Sequence, residues 1–262
     1  TLYASPAIAT SHDVVRVDTG TPLFMRAPGE ATGSIALESA IDEAAWASGM
    51  DPLAFRLKNY AEVEPISGKP FSSKALRECY AEGAARFGWS GRPLAPRQMR
   101  DEAGFLVGWG MGTAIFPALM FQAEARAVLR RDGTAVMETG AHDMGQGAWT
   151  ALAQIAADGL GIDLEQVEFK AGSSDLPDAG IAGGSAHTAT AGMAIHGAGA
   201  DVIARLTDLA TGDERSPLFG AGNAGVLARN GRLIRRDDES RSESYVDVLS
   251  RDADVGATDA SV

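Results

Sequence analysis

One pattern constrains this chain more than any other: two strand, glycine loop and helix units in succession. Residues 134–138 read as a strand and 148–160 as a helix, and between them lies Thr139-Gly140-Ala141-His142-Asp143-Met144-Gly145-Gln146-Gly147. Residues 166–170 read as the next strand. The stretch 171–188, with Gly180, Gly183 and Gly184, then leads into an Ala- and Gly-rich helix from Thr190 to about Ala210. A glycine turn that feeds a helix points free backbone N–H groups at one spot, and the helix dipole adds partial positive charge there. Two such ends can converge on one anionic ligand. Neither loop is followed by Gly-Lys-Ser/Thr, and Gly140, Gly145 and Gly147 fail the Gly-x-Gly-x-x-Gly spacing, so neither is a P-loop or a dinucleotide fingerprint. The pattern alone leaves two readings: a phosphate-bearing ligand, or tight glycine loops packed against a sheet.

Composition narrows the setting. The 262 residues carry a net charge of −12, which argues against a nucleic-acid groove because that needs a basic face. The single cysteine, Cys79, excludes a disulfide framework and a cysteine-based zinc or iron–sulfur site within the chain. The four histidines (His12, His142, His187, His196) show no metal-ligand spacing, so any metal is expected to arrive on a cofactor. No run of 18 apolar residues is present, and no signal peptide is visible. The chain starts at Thr1 rather than methionine and ends in small polar residues, so a fragment or processed piece is expected. The compartment stays open: cytoplasmic, or periplasmic through a partner's export signal.

Taken in order, Asp13 to Asp18 alternates like a short strand, and Met25 to Gly33 is a turn, since Pro28 and two glycines disfavour a regular element. Helices are predicted over Ser34–Ser48, from Asp51-Pro52 with Leu53 and Leu57 inward, and from Ser72 or Ser73 to Phe87. The face of the first is Leu37, Ala40, Ile41, Ala44, Ala45 and Ser48. Cys79, beside the face of the third, reads as a buried inert thiol. Residues 88–103, with Gly91, Pro93 and Pro96, read as a linker. Beyond it the period changes from 3.6 to 2: a buried strand over Phe105–Phe116, then Gln122–Arg130 with Ala123, Ala125, Ala127 and Leu129 on one side. Asp132-Gly133 predicts a two-residue hairpin turn, and Asn230-Gly231 another. The charge run Arg235–Glu243 reads as a solvated face, and Ser242–Leu249 as a short exposed helix.

Several side chains can carry chemistry. Arg26 is either a solvated surface group or a planar fork aimed at a carboxylate, phosphate or carbonyl. Gln146 donates and accepts through one amide, which suits a heterocycle edge or an oxo group, but is equally an ordinary loop residue. His142-Asp143 is a weak base-and-orienter pair, because neighbours on a turn seldom bond that way. Ser185 is no nucleophile elbow, yet it and His187 sit where a helix start would offer donors to a phosphate.

Three stretches together resemble the molybdenum-binding large subunit of the xanthine dehydrogenase/aldehyde oxidase family. They are Met25-Arg26-Ala27-Pro28-Gly29-Glu30 with the helices up to Asn59; His142-Asp143-Met144-Gly145-Gln146-Gly147 with Thr150, Leu152 and Gln154; and Gly183-Gly184-Ser185-Ala186-His187-Thr188 with Gly192. Their order and spacing fit over most of residues 12–210, with the flavour of the bacterial aldehyde-oxidising branch. The resemblance implies a molybdopterin cofactor with Mo, in bacteria often the cytosine dinucleotide form. It implies hydroxylation of an aldehyde or N-heterocycle with water as oxygen source, the cofactor carrying the hard step. Arg26 then matches the catalytic arginine that orients substrate and stabilises developing negative charge. Met144, Gly145, Gln146 and Gly147 match residues along the pterin, and Gly184, Ser185, Ala186 and His187 match the loop near its phosphate. It also implies partner subunits carrying [2Fe-2S] clusters and FAD, or remaining parts of the large subunit.

Two family features are missing from the sequence: the Gly-x-Gly-Glu motif that supplies the glutamate base, and an upstream Gly-Gly-x-Phe-Gly loop. The resemblance therefore covers a middle slice of that subunit, and the chain alone is expected to be incomplete and inactive. The expected fold is α+β, with helices packed on mixed sheets. The expected division is a first cofactor-binding segment over 1–90 and a second over 104–262. A non-catalytic fragment or assembly domain, and a generic nucleotide-binding module, are the alternatives.

Overall fold

The computed structural model describes residues 3–23, 25–115, 119–251 and 258–261. The fold is α+β, in two compact units, Thr1–Pro117 and Ala118–Val262. The division falls beyond the Gly- and Pro-rich stretch at 88–103. That stretch is held in the first unit, where Trp89 is buried and Arg92 donates to the Trp109 carbonyl at 3.1 Å.

The first unit carries three helices: α1 (Glu30–Ala47), α2 (Pro52–Lys58) and α3 (Leu76–Phe87). Helix α1 begins four residues earlier than predicted, because Gly29 takes a positive φ of 89° at the N-cap and releases the chain from the turn. Asp51 caps α2 as expected, accepting from the amides of Leu53 at 2.8 Å and Ala54 at 3.1 Å. The inward face of α1 keeps only part of the predicted stripe: Ala45 is fully buried and Ile41 and Ala44 are half-buried, but Leu37, Ala40 and Ser48 are exposed, and Glu38 is buried instead. Helix α2 likewise buries Arg56, and Leu53 and Leu57 are only half-buried.

Arg56 is fully enclosed. It donates to Glu38 Oε2 from Nε at 3.0 Å and Nη2 at 2.8 Å, to Asp42 at 2.6 Å, and to the carbonyls of Pro52, Glu38 and Met111. Glu38 also accepts from the Tyr3 hydroxyl at 2.8 Å and the Thr113 amide at 3.0 Å. Thr113 bonds the Tyr80 hydroxyl in turn. Burial, with Glu38 nearby, pushes the Tyr3 phenol well above its ordinary range. The unit is thus built on a buried polar hub, which hydropathy periodicity does not detect.

Three expectations fail here. Asp13–Asp18 is exposed and irregular. The described part of 105–116 is no buried strand: its contribution to pairing is one bridge, Arg100 with Leu106, and Phe105 is 71% exposed (Phe116 lies outside the described residues). Its glycines allow an extended chain, which serves the hub through Met111 and Thr113 instead of a ladder. Cys79 is exposed rather than buried, because α3 turns Tyr80 inward in its place.

In the second unit, β1 (Glu124–Leu129), β2 (Ala135–Glu138), β3 (Val167–Lys170) and β7 (Thr258–Ser261) form a sheet in the order β3-β2-β1-β7. The β1–β2 pair is antiparallel, with Ala127 opposite Met137, and its turn has three residues, closed by the Arg130 amide on the Thr134 carbonyl at 2.7 Å. Gly133 takes the left-handed position at φ 84°, which a third loop residue requires. Strand β3 runs parallel to β2, and the crossover between them is α4 (Ala148–Leu160), with the predicted limits and a left-handed Gly161 after it.

Helix α5 (His187–Gly212) packs along both α4 and β1. Leu152, Leu160, Ile195 and Leu206 are fully buried there, each contributing on the order of 1.5–3 kcal/mol. A second sheet, β4 (Val226–Arg229), β5 (Arg232–Arg235) and β6 (Asp238–Ser244), follows, then α6 (Tyr245–Arg251). Asn230 and Gly231 make the predicted turn, both at positive φ. The charge run is not wholly solvated: it forms β6, and Glu243 is buried against Ser216 and Arg251. Helix α6 is not an exposed helix, since Tyr245, Val248 and Leu249 are buried and the Tyr245 hydroxyl donates to the Leu160 carbonyl at 2.8 Å.

The α4–α5 crossing is close because it is made by glycine. A Cβ on Gly199 would lie 3.0 Å from the Gly159 carbonyl carbon, and one on Gly192 2.9 Å from Ile155 Cδ1. Gly199→Ala gains about 1 kcal/mol of helix propensity and meets backbone that cannot swing aside, an overpacking cost of ~1–3 kcal/mol. The expected net result is a lower melting temperature. Gly83→Ala in α3, where nothing lies within 4 Å, is expected to raise it. A Gly199→Ala protein as stable as Gly83→Ala would show that the helices do not touch there.

Candidate functional site

The two glycine loops lie side by side at the N-terminal ends of α4 and α5. The Gly140 amide donates to the Pro177 carbonyl at 2.6 Å, and the Thr139 amide to Lys170 at 3.1 Å. A Cβ on Gly140 would stand 3.1 Å from that same Pro177 oxygen, so glycine is needed for the approach. The Trp149 indole donates to the Ala141 carbonyl at 2.8 Å, and its ring lies where a Cβ on Gly172 would come within 2.9 Å. Phe121 and Leu119 lie in van der Waals reach of a Cβ on Gly184, and the Phe121 amide donates to Thr190 at 3.1 Å. Trp149 and the 119–122 segment brace the loops and carry no motif. Only the close approach at Gly172 and Gly184 identifies them.

The two helix ends differ. At α4 the donors are already occupied. The Asp143 carboxylate accepts from the amides of Gly145 at 2.8 Å and of Gly147 and Trp149 at 3.3 Å. These bonds, that of Gly145 foremost, hold the Asp143 carboxyl below its usual range. Gln146 closes the same loop, accepting from the Met144 amide at 2.7 Å and donating to the His142 carbonyl at 3.1 Å. The expected anion cradle at α4 is therefore filled by the chain's own aspartate. Asp143 is a capping group rather than an orienter for His142, because its oxygens are spent on the helix end.

At α5 no side chain caps the helix, and Ser185 precedes it at φ 55°. Among the described residues nothing accepts from the amides of His187, Thr188 or Ala189. His187 is 8% exposed, and neither ring nitrogen makes a hydrogen bond, although the backbone at Ile181 and His142 lies near enough to favour the protonated ring. Burial, and then the neighbouring His142, hold its pKa below the ordinary histidine value. The His142 and His187 rings face each other across the two loops at 6.1 Å. Buried polar atoms without partners are rare in a folded protein and ask for a reason.

Of the residues singled out in the sequence, Met144, Gly145, Gln146, Gly147, Gly184, Ser185, Ala186 and His187 come together in this unit. Ala186 is buried, while Met144 is 74% exposed beside the loop. Arg26 belongs to the first unit, on the turn before α1. It is exposed and hydrogen-bonds to no described residue. No group of three or more histidine, cysteine, aspartate or glutamate side chains suited to a metal occurs among the described residues.

Comparison with known proteins gives this geometry a family. The chain matches the molybdopterin cofactor-binding domain over residues 1–60 and again over 82–260. It is 41% identical over 195 residues to the aldehyde oxidoreductase molybdenum-binding subunit PaoC of Escherichia coli K12, covering 73% of this chain and 26% of that protein. It is 32% identical over 176 residues to the putative xanthine dehydrogenase molybdenum-binding subunit XdhA of the same strain, covering 63% and 23%. The fold matches quinoline 2-oxidoreductase from Pseudomonas putida 86 with a TM-score of 0.66 at 21% identity, over 87% of this chain and 32% of that one. The chain thus spans about a quarter of the length of the curated relatives it matches. With two glycine loops paired at two helix ends and matches to the domain over both units, the chain belongs to the molybdopterin cofactor-binding domains of the xanthine dehydrogenase/aldehyde oxidase family.

Proposed function

We propose that this chain forms one wall of a molybdopterin site in a molybdenum hydroxylase, with the cofactor's phosphate at the open end of α5 and its ring system along residues 144–147. The observation that carries the reading is the asymmetry of the two helix ends. Asp143 already fills α4, while α5 keeps free amides beside a buried imidazole that lacks partners. Free amides at a helix start suit a phosphate, and an imidazole with both nitrogens open suits a ligand rich in donors and acceptors, so the residues fit the group. When bound, molybdopterin supplies the redox and oxygen-transfer chemistry, for which we infer an aldehyde or N-heterocycle as substrate.

The chain's own share is to bind and orient. Asp143 and Gln146 fix the first loop, Trp149 holds it to the second, and α5 takes the anion. The cytosine dinucleotide form of the cofactor, and partners carrying [2Fe-2S] clusters and FAD, belong to the same proposal, supported by the likeness to molybdenum-binding subunits. Metal analysis and released-pterin fluorescence on the purified complex test it. Molybdenum and pterin in about equal amounts are expected, and the absence of both would end the proposal.

A further inference from the structure

Within the reading that α5 receives a phosphate group, one residue does more than line the site. We propose that His187 is a proton-linked anchor: it takes up one proton from solvent when a phosphate group docks at the α5 end, and returns it on release.

His187 opens α5, is nine-tenths buried, and has two ring nitrogens without hydrogen-bond partners. A neutral imidazole offers one donor and one acceptor, whereas the protonated ring offers two donors. An anion with acceptor oxygens beside it favours the second form. The free protein favours the first, since burial and the neighbouring His142 both oppose a charge on the ring.

No carboxylate is among the groups that act on the charge of the ring. The first turn of α5 carries no acid. On the first loop, Asp143 spends its carboxylate on the amides of Gly145, Gly147 and Trp149. On the second, the Asp178 carboxylate accepts from the Gly180 amide and the Asp175 carboxylate from the Ser173 hydroxyl, whose oxygen accepts from the Asp175 amide. The backbone at Ile181 and His142 therefore offsets only part of what burial and the His142 ring oppose, and the free ring favours its neutral form. The docking anion is what makes its charged form stable.

The sign follows from linkage. A histidine whose pKa is lower in the folded protein than in the unfolded chain binds fewer protons when folded. It weakens the free protein as pH falls below the ordinary value of about 6.5. An anion that raises that pKa must bind more tightly as pH falls, tenfold for each unit of coupling.

The test uses sulfate on the full chain, because sulfate does not titrate near neutrality. Sulfate affinity, followed by amide shifts at 185–189, is expected to fall about tenfold between about pH 5.5 and about pH 8, across the histidine range. Sulfate is also expected to raise the pKa of the His187 ring, read from its imidazole nitrogen signals. His187→Gln should bind sulfate with a flat pH profile, while His142→Gln should keep the slope. If sulfate binds to the wild type without any pH slope, or leaves the His187 titration unmoved, the proton-linked anchor is wrong and the phosphate end stands. If no sulfate binds near α5 at any pH, the phosphate end itself is wrong, and the anchor falls with it. The ring titration is read on the wild type, so it decides the matter even if His187→Gln does not fold.

Discussion

Arg56→Met is expected to destabilise the chain by about 3–5 kcal/mol, the usual loss when one partner of a buried ion pair is removed. The magnitude follows from what remains. Arg56 is 0% exposed and donates to Glu38, Asp42 and three carbonyls. Methionine fills much of the volume but donates nothing, so Glu38, itself 6% exposed, keeps a charge with only Tyr3 and the Thr113 amide to stabilise it. Two segments far apart in sequence lose a common anchor, since Met111 and Thr113 both attach to this hub. Neutralising the orphan should recover part of the loss, so Arg56→Met with Glu38→Gln is expected to be more stable than Arg56→Met alone. Urea unfolding followed by the fluorescence of Trp89, which is buried in the same unit, measures both. A single variant within about 1 kcal/mol of wild type would show that the hub is not closed as described.

That hub also explains which parts of the fold were legible. The second unit is organised by periodicity. The period-2 alternation of β1, the limits of α4 and the Asn230-Gly231 turn all express apolar burial or left-handed backbone, and both can be read from residue type. The first unit is organised by charges from separate segments, Glu38, Asp42 and Arg56, which look in sequence like solvated helix surface. The apolar stripe of α1 therefore held only in part, at Ala45, Ile41 and Ala44, and missed Glu38, while the glycine-spaced run at 105–115 misled, since its Met111 and Thr113 serve the hub. At the site, glycine pattern located both loops correctly but not their state. By sequence alone Asp143, five residues before the first residue of α4, reads only as a weak orienter for His142. Only the bonds to Gly145, Gly147 and Trp149 decide it.

Arg26 is the opposite case to Arg56, and the contrast makes a prediction. Its side chain is exposed, bonds to nothing described, and stands on a turn where Ala27 holds φ 53° and Gly29 φ 89°. Removing an exposed side chain of this kind changes stability by no more than about 0.5 kcal/mol. A positive φ on alanine is costly, by contrast, and recurs where a backbone is held for function. If Arg26 serves the arginine role that the family likeness implies, its guanidinium fork meets the substrate oxygen on which negative charge develops. Arg26→Ala in the assembled enzyme is then expected to lower kcat roughly 100-fold or more, the usual loss of one oxyanion donor, with unfolding unchanged. Arg26→Lys should recover little, since a point charge cannot reproduce two parallel N–H donors. Arg16→Ala, in the same exposed stretch, should leave both quantities alone. Steady-state kinetics set beside thermal melts separate the outcomes. An Arg26→Ala enzyme with wild-type kcat would remove this arginine from the site, and one that loses activity only in step with its melting temperature would return it to structure.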